Sequence, residues 1–157
     1  MDTAAKREIE QACTALSHAF AYHLDRKEYE ALANLFAPDG VFVRMGARLE
    51  GRKQINAVMS ERPPEQFTRH ISTNFHFTRV DADTAEAVVY NISYFGFPES
   101  ALPLDYLSEQ VMLLDFIDIY TRTDEGWRFL ERKAQPLLIP KDLRSKMLAP
   151  AAATASH

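Results

Sequence analysis

The sequence predicts an α+β domain in which N-terminal helices pack on one face of a curved antiparallel sheet. Apolar residues recur at helical spacing as far as Met59, whereas apolar and polar residues alternate at strand spacing after Pro64. The chain has 157 residues, of which 46% are hydrophobic and 25% are charged, as in an ordinary globular domain. We therefore expect a single domain over residues 1–148 and a flexible tail over residues 149–157, which has little to bury.

Three amphipathic helices are predicted in the first part of the chain. The first lies between Asp2 and Asp25, where the apolar residues with helical spacing are Ile9, Cys13, Leu16 and Phe20, and Ser17 is assigned to the polar side. The second ends at Ala37-Pro38-Asp39-Gly40, because proline and glycine break helices, and its apolar positions are Tyr29, Leu32, Leu35 and Phe36. The third ends at Pro63-Pro64 and carries Ile55, Val58 and Met59.

The strands follow the helices in sequence, apart from a short one at Val41-Phe42-Val43 that precedes a tight connection between Gly46 and Gly51. Four long strands are predicted from their alternation and their content of Val, Ile and aromatic residues: 68–78, 85–95, 110–121 and 127–138. The last two are joined by a hairpin at Thr123-Asp124-Glu125-Gly126. Residues 96–109 form the one long loop of the sheet region, and loops of this length are often functional lids.

Charge and composition exclude several classes of partner. The net charge is −4 and there is no long basic run, so we expect neither nucleic acid nor an anionic membrane as a partner. No stretch approaches the roughly 20 apolar residues of a membrane-spanning helix, and the first ten residues do not resemble a signal peptide. Cys13 is the only cysteine, which excludes an intrachain disulfide and favours a reducing, cytoplasmic location.

Three stretches of the sequence carry a family resemblance. They are HLDRKEYEALANLFAPDG at residues 23–40, GRKQI at residues 51–55 and Thr-Arg-His at residues 68–70. This pattern resembles the SnoaL-like branch of the nuclear transport factor 2-like superfamily, which includes scytalone dehydratase and ketosteroid isomerase. The resemblance implies a cone, in which a curved sheet wraps around the N-terminal helices (the cystatin-like or nuclear transport factor 2-like roll) and holds a ligand inside. It also implies a homodimer or a higher homo-oligomer.

Asp25 and His70 match the catalytic positions of the dehydratase-like members, in which an aspartate supports a histidine that acts as the base. An ionised Asp25 that accepts from one ring nitrogen would leave the other nitrogen of His70 free to take a proton from a substrate. The alternative is structural: Asp25 caps the second helix, and His70 is a polar residue on a half-solvated strand. The two roles are not exclusive.

The candidates for binding the substrate are five further residues, Phe20, Tyr22, Arg44, Asn74 and Tyr94, and three more tyrosines could supply a phenol. Phe20 stands where relatives place a tyrosine or a lysine that assists the leaving group, so another phenol would have to replace it, and Tyr22 and Tyr94 are candidates together with Tyr90, Tyr106 and Tyr120. Strand alternation from His70 sends Asn74 to the same face, where its amide can orient a carbonyl or hydroxyl group. Arg44 is placed to bind a carboxylate, although a lone arginine at a strand end is more often exposed to solvent.

No metal or cofactor is expected. His70 and His76 are separated by about 20 Å along a strand, which is too far to share an ion. The sequence has no glycine-rich phosphate loop, no nucleotide fingerprint and no Ser or Cys nucleophile motif. The sequence therefore predicts a cofactor-independent lyase or isomerase that acts on a small hydrophobic cyclic or polyketide-like molecule. The alternatives are a binding module that holds such a molecule without turnover, and a dimeric scaffold whose cavity is filled by side chains.

Overall fold

A computed structural model describes residues 1–97 and 111–141, and within them it contains three helices and six strands. The helices are α1 (Thr3–Arg26), α2 (Tyr29–Ala33) and α3 (Gly51–Ser60). The strands are β1 (Phe36–Arg44), β2 (Ala47–Glu50), β3 (Phe67–Val80), β4 (Thr84–Gly96), β5 (Val111–Thr123) and β6 (Gly126–Leu138). The predicted α+β class and the four long strands are confirmed, whereas most of the 96–109 loop and the whole 149–157 tail lie outside the described residues.

The described strands form one open sheet with the order β2-β1-β6-β5-β4-β3. Neighbouring strands are antiparallel except β1 and β6, which run parallel, so the sheet is mixed rather than purely antiparallel. A long connection separates β1 from β6 in sequence, and no hairpin forces these two strands to run in opposite directions. No described helix combines the length and the apolar character that are needed to cross a bilayer.

Helix α1 lies against the sheet, packing on β3, β4 and β6. It begins at Asp2, whose carboxylate accepts a hydrogen bond from the Ala5 N–H at 2.8 Å, and it ends at Lys27, which has a left-handed φ of 62°. The apolar positions predicted for this helix are all buried. Ser17 is also fully buried, so its assignment to the polar side was wrong.

The segment after α2 differs from the prediction. The helix ends at Ala33, and Phe36 already pairs with Phe129 of β6 as the first residue of β1. The pairing then resumes only at Val41, opposite Glu131, so the Pro-Asp-Gly sequence forms an irregular part of a strand rather than a turn outside it. Steric hindrance explains why position 40 is a glycine: a Cβ at this position would lie 2.7 Å from the Phe129 carbonyl oxygen.

Strand β3 carries a bulge that interrupts its alternation. Asn74 adopts a left-handed φ of 51°, and the register with β4 shifts between Thr73 and His76. Beyond the bulge, Phe75 and Phe77 pack against the core, whereas Asn74 and His76 are exposed. The prediction that Asn74 and His76 share the face of His70 was wrong, because one irregular residue reverses the side-chain direction along a strand.

Candidate functional site

A cavity of about 470 Å³ opens between the helices and the sheet, which is within the usual range for a small-molecule site. Its wall is largely apolar, with Phe20, Leu24, Phe42, Met59, Phe95, Leu114 and Phe116 among the lining residues. The polar side chains that reach it are Arg44, Arg62, Gln66, Thr68, His70 and Ser93. The scaffold hypothesis required side chains to fill this space, and the described residues leave it open.

Asp25 and His70 form a hydrogen-bonded pair, of which His70 lines the cavity. Asp25 lies in the last turn of α1, and its Oδ1 is 2.6 Å from Nδ1 of His70. The same carboxylate accepts from the His70 backbone N–H at 2.9 Å and from the Thr68 hydroxyl at 3.0 Å. All three bonds join the end of α1 to the start of β3, so the carboxylate is held in one orientation.

The alternative role of Asp25 as a helix cap was wrong. Asp25 belongs to α1, and the N-cap of α2 is Glu28, which makes no side-chain capping bond. The sequence interpretation failed because the first helix runs one residue beyond Asp25 and therefore leaves no room for a cap at that position.

The hydrogen bonds favour the ionised form of Asp25 and fix the tautomer of the His70 ring. Burial by itself raises the pKa of Asp25, but the hydrogen bond and charge of His70, together with the Thr68 hydroxyl, outweigh it and hold that pKa below its usual value. An ionised carboxylate can only accept, so Nδ1 of His70 carries a proton whether the ring is charged or neutral, and in the neutral form Nε2 keeps its lone pair. His70 lines the cavity, and its side chain is 12% exposed. The arrangement supplies a positioned proton acceptor.

Two of the predicted binding residues reach the cavity, and three do not. Phe20 and Arg44 are part of the lining. Tyr22 is 53% exposed and lies under the Arg26 guanidinium, with Cζ 4.5 Å from the ring centroid. Tyr94 neighbours Ser93, which lines the cavity, and successive side chains of a strand point to opposite faces. Asn74 is turned outward by the bulge.

No tyrosine belongs to the described part of the cavity lining. Tyr90 is half-exposed, Tyr120 is buried in the core, and Tyr106 lies outside the described residues. Within the described residues, a phenol that would replace the one absent at Phe20 is therefore missing.

Sequence reasoning missed a buried polar cluster behind the cavity, formed by Ser17, Asp118, Tyr120 and Arg132. Arg132 donates to both carboxylate oxygens of Asp118, from Nε at 2.8 Å and from Nη2 at 2.7 Å. Burial, and next the Asp118 charge, raise the pKa of the Tyr120 phenol well above its usual value, against a smaller opposing effect of Arg132. Tyr120 is therefore a neutral donor to Asp118, at 2.8 Å.

The cluster supports the cavity wall. The Arg132 guanidinium carbon lies 4.5 Å from the Phe20 ring centroid and 4.1 Å from that of Phe116, and both rings line the cavity. Alternation in β5 places Asp118 on the same face as Phe116 and Tyr120, a pattern that could have identified it as buried. Arg132 of β6 is fully buried.

Four polar lining residues were not predicted as parts of the site. Thr68 belongs to the Thr-Arg-His pattern, and its contact with Asp25 explains why a hydroxyl is useful there. Arg62 and Gln66 lie between α3 and β3, where no periodicity predicts a direction, and Ser93 reaches the cavity from β4. Among the described residues, no group of three or more His, Cys, Asp or Glu side chains is arranged to hold a metal ion.

Comparisons with known proteins agree with this architecture. A model of the SnoaL-like domain matches residues 5–133, and no curated protein matches the sequence. A provisionally assigned scytalone dehydratase from Novosphingobium aromaticivorans superposes with a TM-score of 0.74 at 18% identity, over 87% of this chain and 89% of the other. A provisionally assigned dehydratase of the NTF2-like family from Streptomyces avermitilis gives 0.72 at 20% identity, over 85% and 99%. A type 2 hexachlorocyclohexane dehydrochlorinase gives 0.69 at 14% identity, over 87% and 94%. At these identities the likeness establishes a shared fold.

Proposed function

The chain belongs to the SnoaL-like domain family, and from this premise we propose that it is a cofactor-independent lyase or isomerase in which His70 is the general base. The observation that carries the proposal is the contact between Asp25 Oδ1 and His70 Nδ1, 2.6 Å long, at the wall of an apolar cavity. Proteins of similar fold that are described as a dehydratase and a dehydrochlorinase support the reaction class.

The mechanism follows from the pair. Nε2 of His70 takes a proton from a carbon next to a carbonyl or an aromatic ring, and the C–H electron pair moves into the conjugated system. Asp25 stabilises the imidazolium that forms. The ring then returns the proton to a departing hydroxyl group, which leaves as water, or to another carbon, which moves the double bond. The first outcome is dehydration and the second is isomerisation.

The proposed substrate class is a small hydrophobic cyclic or polyketide-like molecule. The aromatic and aliphatic wall supports it, because such a surface stabilises apolar rings and excludes water. A dry wall also strengthens the interaction between the imidazolium and Asp25.

Proton exchange tests the base without knowledge of the full reaction. The wild type, incubated in D₂O with a panel of cyclic ketones and β-hydroxy ketones, should catalyse deuterium uptake at the carbon next to the carbonyl, followed by NMR. His70→Ala should abolish the exchange, and Asp25→Asn should slow it by about 100-fold or more, the usual range of general-base catalysis.

The matched control is His76→Ala, which removes an exposed histidine from the same strand and should leave the exchange rate unchanged. Circular dichroism and thermal unfolding check that each variant is folded. Exchange that survives in a folded His70→Ala variant would end the proposal.

The second candidate function is binding without turnover. It is favoured by one observation: Phe20 is buried in the wall where dehydratase-like relatives carry a leaving-group donor. A carrier would bind the same ketones in the cavity and would show no exchange with any of them, with or without His70.

A further inference from the structure

Two arginines line the apolar cavity. Arg44 comes from the end of β1 and Arg62 from the segment after α3, and both side chains are partly buried. Burial, and next the positive charge of Arg62, lower the pKa of Arg44, against an opposing effect of Tyr29. Both guanidinium groups therefore line one largely apolar cavity, and the charge of Arg62 disfavours the charged form of Arg44.

Neither arginine has an anionic partner among residues 1–97 and 111–141. Nη2 of Arg44 donates to the sulfur of Met45 at 3.7 Å. Nη1 of Arg62 donates to the Leu24 carbonyl at 3.4 Å, and Cζ of Arg62 lies 5.9 Å from the Tyr29 ring centroid. These are weak contacts for two charged groups, whereas Arg48, Arg52, Arg79, Arg128 and Arg132 all form ion pairs. The carboxylate of Asp25 already accepts hydrogen bonds from Thr68 and His70 of β3.

Two unpaired positive charges in an apolar cavity are unfavourable unless an anion joins them. We propose that Arg44 and Arg62 together bind a carboxylate, so that the ligand of this cavity is an apolar ring compound with one carboxylate group. The guanidinium fork matches the two oxygens of a carboxylate, and a charge-assisted bond in a poorly solvated site is stronger than a neutral one. The inference deepens the proposed function and rests on it for the reaction, although not for binding.

The arrangement also orients the ligand. Arg44 and Arg62 hold the anionic end, the aromatic wall holds the ring, and His70 lines the same cavity. The carboxylate ion thus supplies the negative charge that the described residues do not offer to the two arginines, and it leaves the ring beside the base.

Matched acid and amide pairs test the proposal by isothermal titration calorimetry at neutral pH. The probes are benzoate with benzamide and 2-naphthoate with 2-naphthamide, which share shape and differ in charge. The wild type should bind an acid at least about tenfold more tightly than its amide, a difference of about 1.4 kcal/mol. Arg44→Gln and Arg62→Gln should each reduce this ratio, and the double variant should bring it close to one while the amide affinity is retained.

Arg48→Gln is the control, because Arg48 is exposed and bonded to Glu50 and Glu131 outside the cavity lining. It should keep the wild-type ratio. Equal affinity for acid and amide in the wild type, absence of binding by both acids, or a ratio that survives in the double variant would overturn the proposal. His70→Ala should keep the wild-type ratio of acid to amide affinity even though it loses turnover. A preference for acids without proton exchange would therefore refute only the proposed function. Proton exchange without a preference for acids would refute only the carboxylate site.

Discussion

Removing the charge of Asp118 should destabilise the protein severely, because Asp118 is the counter-ion of the fully buried Arg132. Asp118 is 1% exposed, and it receives two bonds from Arg132, at 2.8 and 2.7 Å, and one from Tyr120, at 2.8 Å. In Asp118→Leu the guanidinium remains buried without a negative partner. Breaking a buried pair in this way costs about 3–5 kcal/mol.

The expected loss converts into a measurable change of melting temperature. The entropy of unfolding is about 0.33 kcal/mol/K for a chain of this length, so about 4 kcal/mol lowers Tm by about 12 °C. Urea unfolding should show the same loss as a lower midpoint with an unchanged slope. The cavity-wall residues Phe20 and Phe116 contact the Arg132 guanidinium, so a displacement of Arg132 should displace both rings. The affinity for 2-naphthamide, measured by titration, reports the effect on the cavity.

A second substitution separates the charge from the packing. Arg132→Met in the Asp118→Leu background removes the uncompensated charge, and it should recover most of the lost stability, because an apolar pair often replaces a buried ion pair without loss. Glu125→Gln, at an exposed ion pair with Arg52, is the control and should change little. A loss below about 1 kcal/mol in Asp118→Leu, or a double variant no more stable than the single one, would refute the reasoning.

Three further predictions concern titration, backbone and thiol chemistry. The pKa of Asp25 is held below its usual value, so its stabilising contribution is complete above the unfolded pKa of about 3.9 and is lost as pH falls through the lower folded value. Tm measured from neutral to strongly acidic pH should therefore fall more steeply in the wild type than in Asp25→Asn, and parallel curves would contradict this. Asn74→Val should cost about 1–2 kcal/mol in urea unfolding, because a β-branched residue resists a φ of 51°, whereas Asn74→Gly should be tolerated; equal costs would be evidence against strain at the bulge. Burial, and next the charge of Asp118, raise the pKa of the Cys13 thiol to about 12, so iodoacetamide should alkylate it at least about 1,000-fold more slowly in the folded protein than in urea; similar rates would show that the thiol is accessible.

Structural features encoded by residues close together in sequence were predicted correctly, whereas several features that depend on distant residues were not. The bounds of α1 and of the four long strands followed from periodicity, because burying one face fixes the spacing of apolar residues. The end of α2 was missed, because Phe36 satisfies helical spacing and also pairs with Phe129 across the sheet. The residues next to Phe36 in sequence do not show whether it continues the helix or begins a strand.

The candidate site shows the same division. The pairing of Asp25 with His70 was expected from the family pattern, and the structure brings the two side chains together. The inward position of Arg62 and the outward turn of Asn74 were not predicted, because one lies in an aperiodic connection and the other depends on a single residue with positive φ. A one-residue bulge reverses every later side chain of a strand, and alternation cannot anticipate it.

The sequence by itself determined the α+β class, the helical and strand segments and the two residues of the candidate base, since each is encoded by spacing or by a short pattern. Only the tertiary structure decided the parallel pairing of β1 with β6, the burial of Arg132 with Asp118, and the meeting of Arg44 with Arg62 in one cavity. These features join residues that are distant in sequence. Their energies depend on desolvation and on charge at short range, which exist only after the chain has closed around them.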